Sequence, residues 1–248
     1  MIFDDHQITV NSHAWALHAI NVVNQTRQNL AQSQDSDNLY SFSSDGEWVA
    51  WITADLSLKS IINVQNLQTG QHSELPHSDS SSDAWEQVVV SAGQLAATKL
   101  SDDGRVLYLF DLKSGQGNKL YADKTGSDMA GLTFDGNWIA WKTGTNYQGS
   151  TALYNLQAGK FEMVPISANN QIAPLLTGQW LAWDASADQP LLIYNLERRQ
   201  GFLVVEAQAG DNLSCVAIHA NVIAWCRVHP NSLDLSSFDS TVEWRTLP

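Results

Sequence analysis

A four-residue block recurs along the chain at a nearly constant spacing, and this repeat constrains the fold more than any other feature. The block reads Trp48-Val49-Ala50-Trp51, and related blocks begin at positions 95, 138, 180 and 222, which are 42 to 47 residues apart. A second block, Asn or Asp followed by Leu, comes 15 to 18 residues after each of the first four copies. Self-similarity at this period indicates a repeat architecture, in which each copy is one supersecondary unit.

Turn residues divide each repeat into four strands. Glycine supplies the positive φ of a tight hairpin, and it follows the second block at Gly70, Gly115, Gly159 and Gly201. Asp45-Gly46 and Asp135-Gly136 precede the Trp block and indicate the turn between the first and second strands. For the second copy, this pattern predicts strands at residues 39–43, 47–53, 60–66 and 71–75.

The Trp block is apolar on both faces of its strand, since Trp48 and Ala50 point one way while Val49 and Trp51 point the other. A blade of a β-propeller is packed between two neighbours and needs apolar side chains on both sides. The sequence therefore predicts an all-β chain that folds as a single β-propeller domain over residues 1–248.

The ends of the chain decide the number of blades. Residues 6–33 supply about three strands, with Ile20 to Asn24 aligned to Ile62 to Asn66, and the last copy ends near Trp244 without an evident fourth strand. The resulting 22 strands fall between the 20 of five blades and the 24 of six. We predict about six four-stranded antiparallel blades with incomplete terminal blades, whose segments meet to close the ring and hide an exposed edge; five blades are the alternative.

The repeats resemble the TolB-type, WD-like β-propeller family. The resemblance rests on Asp45-Gly46-Glu47-Trp48-Val49-Ala50-Trp51 with Asn66-Leu67-Gln68-Thr69-Gly70, and on the segment from Ala152 to Gly159. It covers most of the chain, from about Asp45 to Trp225. The resemblance implies a propeller fold and a partner-binding role in the cell envelope, and it assigns no functional residue.

Charge and cysteine content limit the function. The formal charge of −13, from 13 Lys plus Arg against 26 Asp plus Glu, repels nucleic acid and anionic membranes, so we expect neither as a partner. No apolar stretch approaches the roughly 20 residues of a membrane span, and the start lacks a signal peptide. We expect a cytoplasmic chain as written, or a periplasmic or extracellular one if a leader was removed. Cys215 and Cys226 are expected to be half-buried free thiols, with a cross-strand disulfide as the alternative.

The charges are predicted to separate onto two faces. We call the loops from second to third strand and from blade to blade the acidic loop face, because most Asp residues fall there. Its obvious cations are Lys59, Lys99 and Lys124. The two remaining hairpin turns of each blade form what we call the turn face, which carries Lys113, Lys119, Lys160, Arg198 and Arg199.

A set of side chains recurs where each blade leads into the next first strand, beside the predicted central channel. The set is Asp37, Glu86, Asp128, Asn170 and Asp211. Such oxygen ligands would hold a hard cation such as calcium, or a basic peptide, at the channel mouth. The competing interpretation is that Asp and Asn are ordinary turn residues of a repeated loop. No other cofactor is indicated.

These observations favour a non-catalytic binding or scaffold protein that engages a protein or peptide partner with a basic surface through its acidic loop face. Catalysis usually needs an asymmetric constellation, whereas the same residue types recur here from blade to blade. The alternative is a propeller-type glycoside hydrolase or carbohydrate-binding module, with the channel-mouth carboxylates as acid and base. Trp15, Trp85 and Trp244 lie outside the repeated block, so they are the predicted exposed contacts.

Overall fold

The computed structural model describes residues 2–9, 12–33, 38–55, 59–75, 83–102, 104–125, 127–145, 148–165, 174–183, 189–208, 210, 212–230 and 238–248. These residues form 22 β-strands arranged in six antiparallel sheets. In this described part of the chain, no helix has the length and apolarity needed to span a membrane. The chain divides into two compact units, residues 1–126 and 127–248.

The first unit contains three sheets in which consecutive strands pair as hairpins, ordered β1-β2-β3, β4-β5-β6-β7 and β8-β9-β10-β11. Its strands are β1 (Ile2–Thr9), β2 (Ser12–Ile20), β3 (Arg27–Gln32), β4 (Asn38–Ser44), β5 (Trp48–Ala54), β6 (Ser60–Asn66), β7 (His72–Glu74), β8 (Ala84–Ser91), β9 (Gln94–Ser101), β10 (Gly104–Asp111) and β11 (Gly117–Asp123). The four strands of the second repeat lie within one or two residues of their predicted bounds.

The second unit also contains three sheets, ordered β12-β13-β14-β15, β16-β17-β18-β19 and β20-β21-β22. Its strands are β12 (Asp128–Phe134), β13 (Trp138–Thr145), β14 (Gln148–Asn155), β15 (Lys160–Met163), β16 (Pro174–Thr177), β17 (Trp180–Trp183), β18 (Leu191–Asn195), β19 (Gln200–Val205), β20 (Asn212–His219), β21 (Val222–Pro230) and β22 (Phe238–Thr246). The prediction of six sheets, with three strands in the first and last, is confirmed.

The repeated Trp block lies in the second strand of every sheet from the second onward, and in the second to fifth sheets it is largely buried on both faces. In β5, Val49 and Ala50 have no exposed surface, and Trp51 is 2% exposed. The weaker copy in β9 behaves in the same way, since Leu95, Ala96 and Ala97 are fully buried. A strand that is apolar on both faces gains from contact on both sides, which explains why the block recurs once in every sheet from the second onward.

The second repeated block closes the turn after the third strand. Asn66 Oδ1 accepts hydrogen bonds from the backbone N of Gln68 and Thr69, at 3.0 and 2.9 Å, and Asp111, Asn155 and Asn195 cap their turns in the same way. The next residue, Leu67, donates its N–H to the carbonyl of Glu47 at 2.8 Å. Equivalent bonds join Leu112 to Gly93, Leu156 to Asn137, Leu196 to Gln179 and Leu247 to Asn221. Both turns of each sheet therefore lie side by side, as the turn face requires.

The assignment of Gly201 to this turn is wrong. Gly70, Gly115 and Gly159 have φ of 74°, 70° and 60°, four residues after the capping Asn or Asp, and the residue at that position in the fifth sheet is Arg199, with φ of 55°. Gly201 instead lies within β19, opposite Tyr194. Glycine marks this turn in the second, third and fourth sheets, but the backbone requires only a left-handed residue, which a non-glycine side chain occupies at some cost.

The alignment of the N-terminal segment is also wrong, by three residues. Asn21 Oδ1 accepts hydrogen bonds from Val23 N and Asn24 N, as Asn66 does in its own turn, and Gln25 has the positive φ of 58°. Asn21 is therefore the counterpart of Asn66, and β1–β3 are the second to fourth strands of their sheet. Val22 and Val23 resembled a strand by composition, but they are 64% and 91% exposed in the turn.

The last sheet is incomplete at its other end, after the third strand. Leu247 N donates to Asn221 O at 2.6 Å, which is the bond that comes after the third strand in the other sheets. β20, β21 and β22 are therefore the first, second and third strands. Among the described residues this sheet has no fourth strand. The meeting of the terminal segments to close a ring stays a prediction.

Neighbouring sheets of the first unit are joined by side chains as well as by apolar packing. Ser41 Oγ accepts a hydrogen bond from Val88 N at 3.2 Å, and Ser43 Oγ accepts one from Val90 N at 3.0 Å. These hydroxyls thus satisfy donors on the edge of β8. Beside them lies an apolar core of residues from both sheets: Trp48, Ala50, Ile52, Ile62, Val64, Leu75, Trp85, Val88, Val90, Leu95, Ala97, Phe110 and Leu112.

Both cysteines are free thiols, as expected, but the expectation that both are half-buried is wrong for Cys215. Cys215 is exposed and Cys226 is half-buried. Cys215 occupies a bulge in β20, where the pairing shifts between Ser214 and Ala217.

Candidate functional site

The predicted channel-mouth set is only partly described by the structure. Asp37, Asn170 and Asp211 lie outside the described residues. Glu86 lies in β8 of the first unit, and Asp128 is the exposed first residue of β12 in the second unit. The proposal that these five side chains form a ligand ring stays a prediction.

Glu86 is held by a cation that the sequence did not place on the acidic loop face. Arg105, at the start of β10, donates from Nε and Nη2 to the two Glu86 oxygens at 2.9 and 3.1 Å. The two side chains are 21% and 25% exposed. A bidentate pair of this kind is among the stronger charge-assisted contacts, so Glu86 would have to release Arg105 before it bound a cation with both oxygens.

A second ion pair lies next to it at the start of β8. Lys99 Nζ is 2.6 Å from Asp83 Oδ2, and these side chains are only 8% and 11% exposed. The same ammonium lies 5.5 Å from the centroid of the Trp85 ring, within the range of a cation–π contact. Lys99, one of the predicted cations of the acidic loop face, therefore makes its charge contacts with residues at the start of the neighbouring strand β8.

β-Bulges recur in the first strands of the sheets. Extra residues lie at Tyr40 in β4 and at Glu86 in β8, and the register also shifts in β12 and β20. Tyr40 is 51% exposed, and Cys215 in the β20 bulge is exposed with φ of 54°. A bulge re-aims the side chain of its extra residue. The spacing of the channel-mouth set identified Glu86, but no sequence signal indicated that Tyr40, Glu86 and Cys215 lie in bulges, because Tyr, Glu and Cys share no pattern there.

Other groups of the acidic loop face serve mainly to shape its loops. Asp123 Oδ1 accepts hydrogen bonds from Thr125 N and Oγ1, at 2.8 and 2.6 Å, and Asp55 Oδ1 accepts one from Lys59 N at 3.1 Å. Burial raises the pKa of the Tyr121 phenol, and the Asp123 carboxylate acts in the same direction. Asp102, Lys124 and Asp128 are exposed.

The turn face presents its predicted cations to solvent. Lys113, Lys119, Lys160, Arg198 and Arg199 are all exposed. Arg199 is anchored by an ion pair with Glu162, which raises the pKa of its guanidinium, and it lies 5.5 Å from the centroid of Trp138. This contact accompanies the left-handed backbone of Arg199 in a turn where the second, third and fourth sheets use glycine.

Two of the three predicted exposed tryptophans are buried. Trp15 is 6% exposed and Trp85 is 5% exposed, since each packs in a core beside the next sheet. Trp244, in contrast, is 70% exposed in β22, and Val242 on the same strand is 76% exposed. The prediction for Trp244 is confirmed. A position outside the repeated block therefore predicted exposure correctly for one of the three tryptophans.

The described residues hold no group of three or more His, Cys, Asp or Glu side chains arranged to bind a metal ion. The calcium hypothesis concerned a set with three members outside these residues, so it stays a prediction.

Solved structures of low sequence identity share the fold. The tricorn protease matches with a TM-score of 0.60 and 14% identity, covering 94% of this chain and 25% of that chain. A prolyl endopeptidase matches with a TM-score of 0.64 and 11% identity, over 99% of this chain and 41% of that chain. A chain of the nidogen/laminin complex matches with a TM-score of 0.57 and 9% identity, over 96% of this chain and 92% of that chain.

The chain thus spans about a quarter of the tricorn protease chain and two fifths of the prolyl endopeptidase. These three proteins contain β-propellers, and the likeness confirms that this chain has the all-β propeller fold. No protein-family model and no curated protein matches the sequence.

Proposed function

We propose that this chain is a non-catalytic binding module that engages a protein or peptide partner with a basic surface through the acidic loop face. The resemblance to TolB-type propellers supports a partner-binding role of this kind. So does the recurrence of the same side-chain types from sheet to sheet, because repetition favours a broad contact surface over a single reactive centre.

The charge balance is the observation that carries the proposal. The chain has 26 acidic and 13 basic side chains. On the acidic loop face Lys99 is paired with Asp83, and Arg105 is paired with Glu86. Each pair cancels one charge of each sign, so the excess of 13 negative charges belongs to the remaining side chains. A basic partner would gain both attraction at a distance and a faster association rate.

One solved structure supports the binding proposal, and another supports the competing enzyme. The matched chain of the nidogen/laminin complex is taken from a complex between proteins, and this chain covers 92% of it. The tricorn protease and the prolyl endopeptidase are enzymes whose chains extend far beyond the matched part. An oligogalacturonate lyase, in contrast, is an enzyme of which this chain covers 74%. The nidogen/laminin chain agrees with a propeller that serves only for binding, and the lyase agrees with the enzyme.

The test uses a ten-residue oligolysine peptide as the probe, with affinity measured by calorimetry at several salt concentrations. One variant carries Asp102→Lys with Asp128→Lys on the acidic loop face. The matched control carries Glu47→Lys with Glu197→Lys on the turn face, so net charge changes equally. Since each exposed charge pair contributes about 0.2–1 kcal/mol, we expect the first variant to bind several-fold more weakly and the control to bind much as the parent does.

Equal weakening by both variants would mean that the probe senses only net charge, and it would count against the loop face as the binding surface. Affinity that does not fall between about 0.05 and 0.3 M salt would also contradict the proposal, because exposed charge contacts are screened over this range. A glycoside hydrolase is the competing function. Turnover on a panel of glycosides that Asp128→Asn abolishes would favour the enzyme instead.

A further inference from the structure

Among the residues that the structure describes, no strand pairs with the outer edge of β22, which also carries exposed apolar side chains. Val222 lies opposite Thr246, and Leu247 N donates to Asn221 O just beyond that pair. In an antiparallel ladder this bond makes alternate residues face the partner strand. The backbone groups of Arg245, Glu243 and Thr241 therefore point toward β21. Those of Thr246, Trp244 and Val242 point away from the sheet.

The complete sheets show what normally pairs with these groups. In the second sheet, Ile62, Val64 and Asn66 occupy the positions of Val242, Trp244 and Thr246. Leu75 N donates to Ile62 O at 2.9 Å, and Asn66 N donates to Gln71 O at 2.9 Å, so the fourth strand uses both ends of this edge. The same bond joins Val164 N to Thr151 O, at 2.9 Å, in the fourth sheet.

Side-chain burial at these positions also differs between the complete sheets and the last sheet. The counterparts of Val242 in the four complete sheets are all buried, namely Ile62, Leu107, Thr151 and Leu191, at 0%, 0%, 6% and 0% exposed. Three counterparts of Trp244 are buried as well, namely Val64, Leu153 and Ile193, at 1%, 0% and 1%. Val242 and Trp244 themselves are 76% and 70% exposed. An apolar side chain at these positions is covered wherever a fourth strand and a further sheet are present.

We propose that β22 accepts an extended segment of a partner protein as a fourth strand, antiparallel to β22 and hydrogen-bonded to Val242, Trp244 and Thr246. Strand addition of this kind takes its affinity from main-chain hydrogen bonds and its selectivity from alternate side chains. This surface is the outer edge of a sheet, separate from the acidic loop face, and the proposal does not depend on that one.

The complete sheets also define the chemistry of the incoming strand. Leu75 and Val164, which donate to the counterparts of Val242, are both 5% exposed, so an apolar residue is needed at that place. The residues opposite the counterparts of Trp244, two positions earlier in the fourth strand, are Ser73, Asn118, Glu162 and Phe202, so both polar and aromatic residues fit there. The segment is therefore extended, with an apolar residue opposite Val242.

Two charged side chains of β22, Glu243 and Arg245, are engaged within their own unit. Glu243 binds Arg227 at 2.8 and 3.2 Å, and Arg245 donates to the carbonyl of Val204 at 2.7 Å. The outward-facing residues Ser240, Val242, Trp244 and Thr246 carry no charge, so recognition rests on strand pairing and on apolar contact at Val242 and Trp244. The net charge of −13 favours a segment that carries basic residues at its ends.

Amide hydrogen exchange by NMR tests the free edge first. We expect Val242, Trp244 and Thr246 amides to exchange rapidly in the full chain, while Thr241, Glu243 and Arg245 amides exchange slowly. Slow exchange of the first set at every protein concentration would show that a strand of the chain itself occupies the edge. Protection that rises with protein concentration would show that a second copy occupies it. Either result would overturn the proposal.

Binding is then measured by calorimetry with a capped synthetic peptide that copies residues 198–207, which include the fourth strand β19. The matched peptides carry one N-methyl group, either on the amide of Phe202, which faces the paired strand, or on that of Leu203, which faces away. Loss of one hydrogen bond corresponds to roughly a fivefold to tenfold weaker affinity. We expect this loss for the Phe202 peptide and near-parent affinity for the Leu203 peptide.

Two variants of the protein locate the contact. Val242→Pro removes only an outward-facing N–H, a change that edge strands tolerate, and Trp244→Ala removes the exposed ring. Both should weaken peptide binding by at least about tenfold. Thr241→Ala, whose amide faces β21, is the control and should bind as the parent does. Absence of peptide binding by the parent, or equal binding by all three variants, would overturn the proposal.

Discussion

The third strands of the second and last sheets, β6 and β22, occupy the same place in the repeat and yet have opposite surroundings. Ile62 and Val64 in β6 are 0% and 1% exposed, whereas Val242 and Trp244 at the same positions in β22 are 76% and 70% exposed. Val64 packs in a core with residues of the next sheet, including Trp85 and Val88. Burial in this molecule therefore depends on whether another strand and sheet pack against the position, and not on the apolar character of the residue alone.

The largest contrast is expected from truncating the matched side chains. Ile62→Ala should lower the free energy of unfolding by about 2–5 kcal/mol, because it opens a cavity in a packed core. Val242→Ala should change it by no more than about 0.5 kcal/mol, since an exposed side chain leaves no cavity. Urea unfolding of both variants measures the difference. Similar losses would show that β22 is covered by other structure.

Ion pairs offer a second contrast of smaller size. Lys99→Met leaves the carboxylate of Asp83 in a site that is only 11% exposed, so we expect a loss of about 3 kcal/mol in unfolding free energy. Arg227→Met leaves Glu243, which is 34% exposed, and should cost about 1 kcal/mol or less. Chemical denaturation measures the unfolding free energy of both variants, and we expect the smaller loss for Arg227→Met. A larger loss for Arg227→Met than for Lys99→Met would contradict this prediction.

A serine at one position of the repeat gives a further matched pair. Ser60, six residues before Asn66, is 2% exposed and accepts a hydrogen bond from Trp85 N in the next sheet. Ser240 lies six residues before Thr246 and is exposed. Ser60→Ala should cost about 1–3 kcal/mol because a buried donor loses its acceptor. Ser240→Ala should be neutral in the same thermal or urea measurement, and a comparable cost would indicate that an unseen partner covers it.

The smallest expected effect concerns the acid dependence of the turn after β10. The backbone N–H of Ser114, and then its hydroxyl, lower the pKa of Asp111 below its ordinary value of 3.8. A lowered pKa in the folded state adds stability that is present above pH 3.8 and is lost as the pH falls through the folded value. Thr246, the counterpart in β22, does not titrate.

Asp111→Asn should therefore keep the turn at neutral pH, as Asn66 does in its own sheet. The free energy of unfolding of this variant should fall less steeply than that of the parent as the pH is lowered. The midpoint of urea unfolding, measured from neutral pH to below pH 3.8, provides the test. An unchanged acid profile would mean that Asp111 does not contribute to it.

Much of the fold was predictable from periodic signals in the sequence. The bounds of β5 and β6 were predicted within one residue, because their apolar runs and turn residues repeat in register in several copies. The errors came where a local pattern had two interpretations. Asn21 and Asn24 are three residues apart and both suit a capped turn, and Gly201 lies two residues beyond Arg199, which has the left-handed backbone. Repetition identified the turn in each case, but only the hydrogen bonds identified the residue.

The candidate sites were less accessible from the sequence. Glu86 was found by its spacing, but its clamp by Arg105 depends on a bulge in β8 and on strands that lie two apart in the sheet. Trp15 and Trp85 share the irregular spacing of Trp244, yet only Trp244 is exposed. Their burial is decided by long-range packing, which a spacing argument does not include.

The sequence by itself determined the repeat unit, the strand and turn order within it, and the excess of negative charge, because each depends on residues close together in the chain. The tertiary structure alone decided which charges are cancelled and which apolar strand lacks a neighbour. Those properties depend on contacts between residues far apart in sequence. The third strand of the repeat is therefore buried core in β6 and an exposed edge in β22, although both strands carry apolar residues at matched positions.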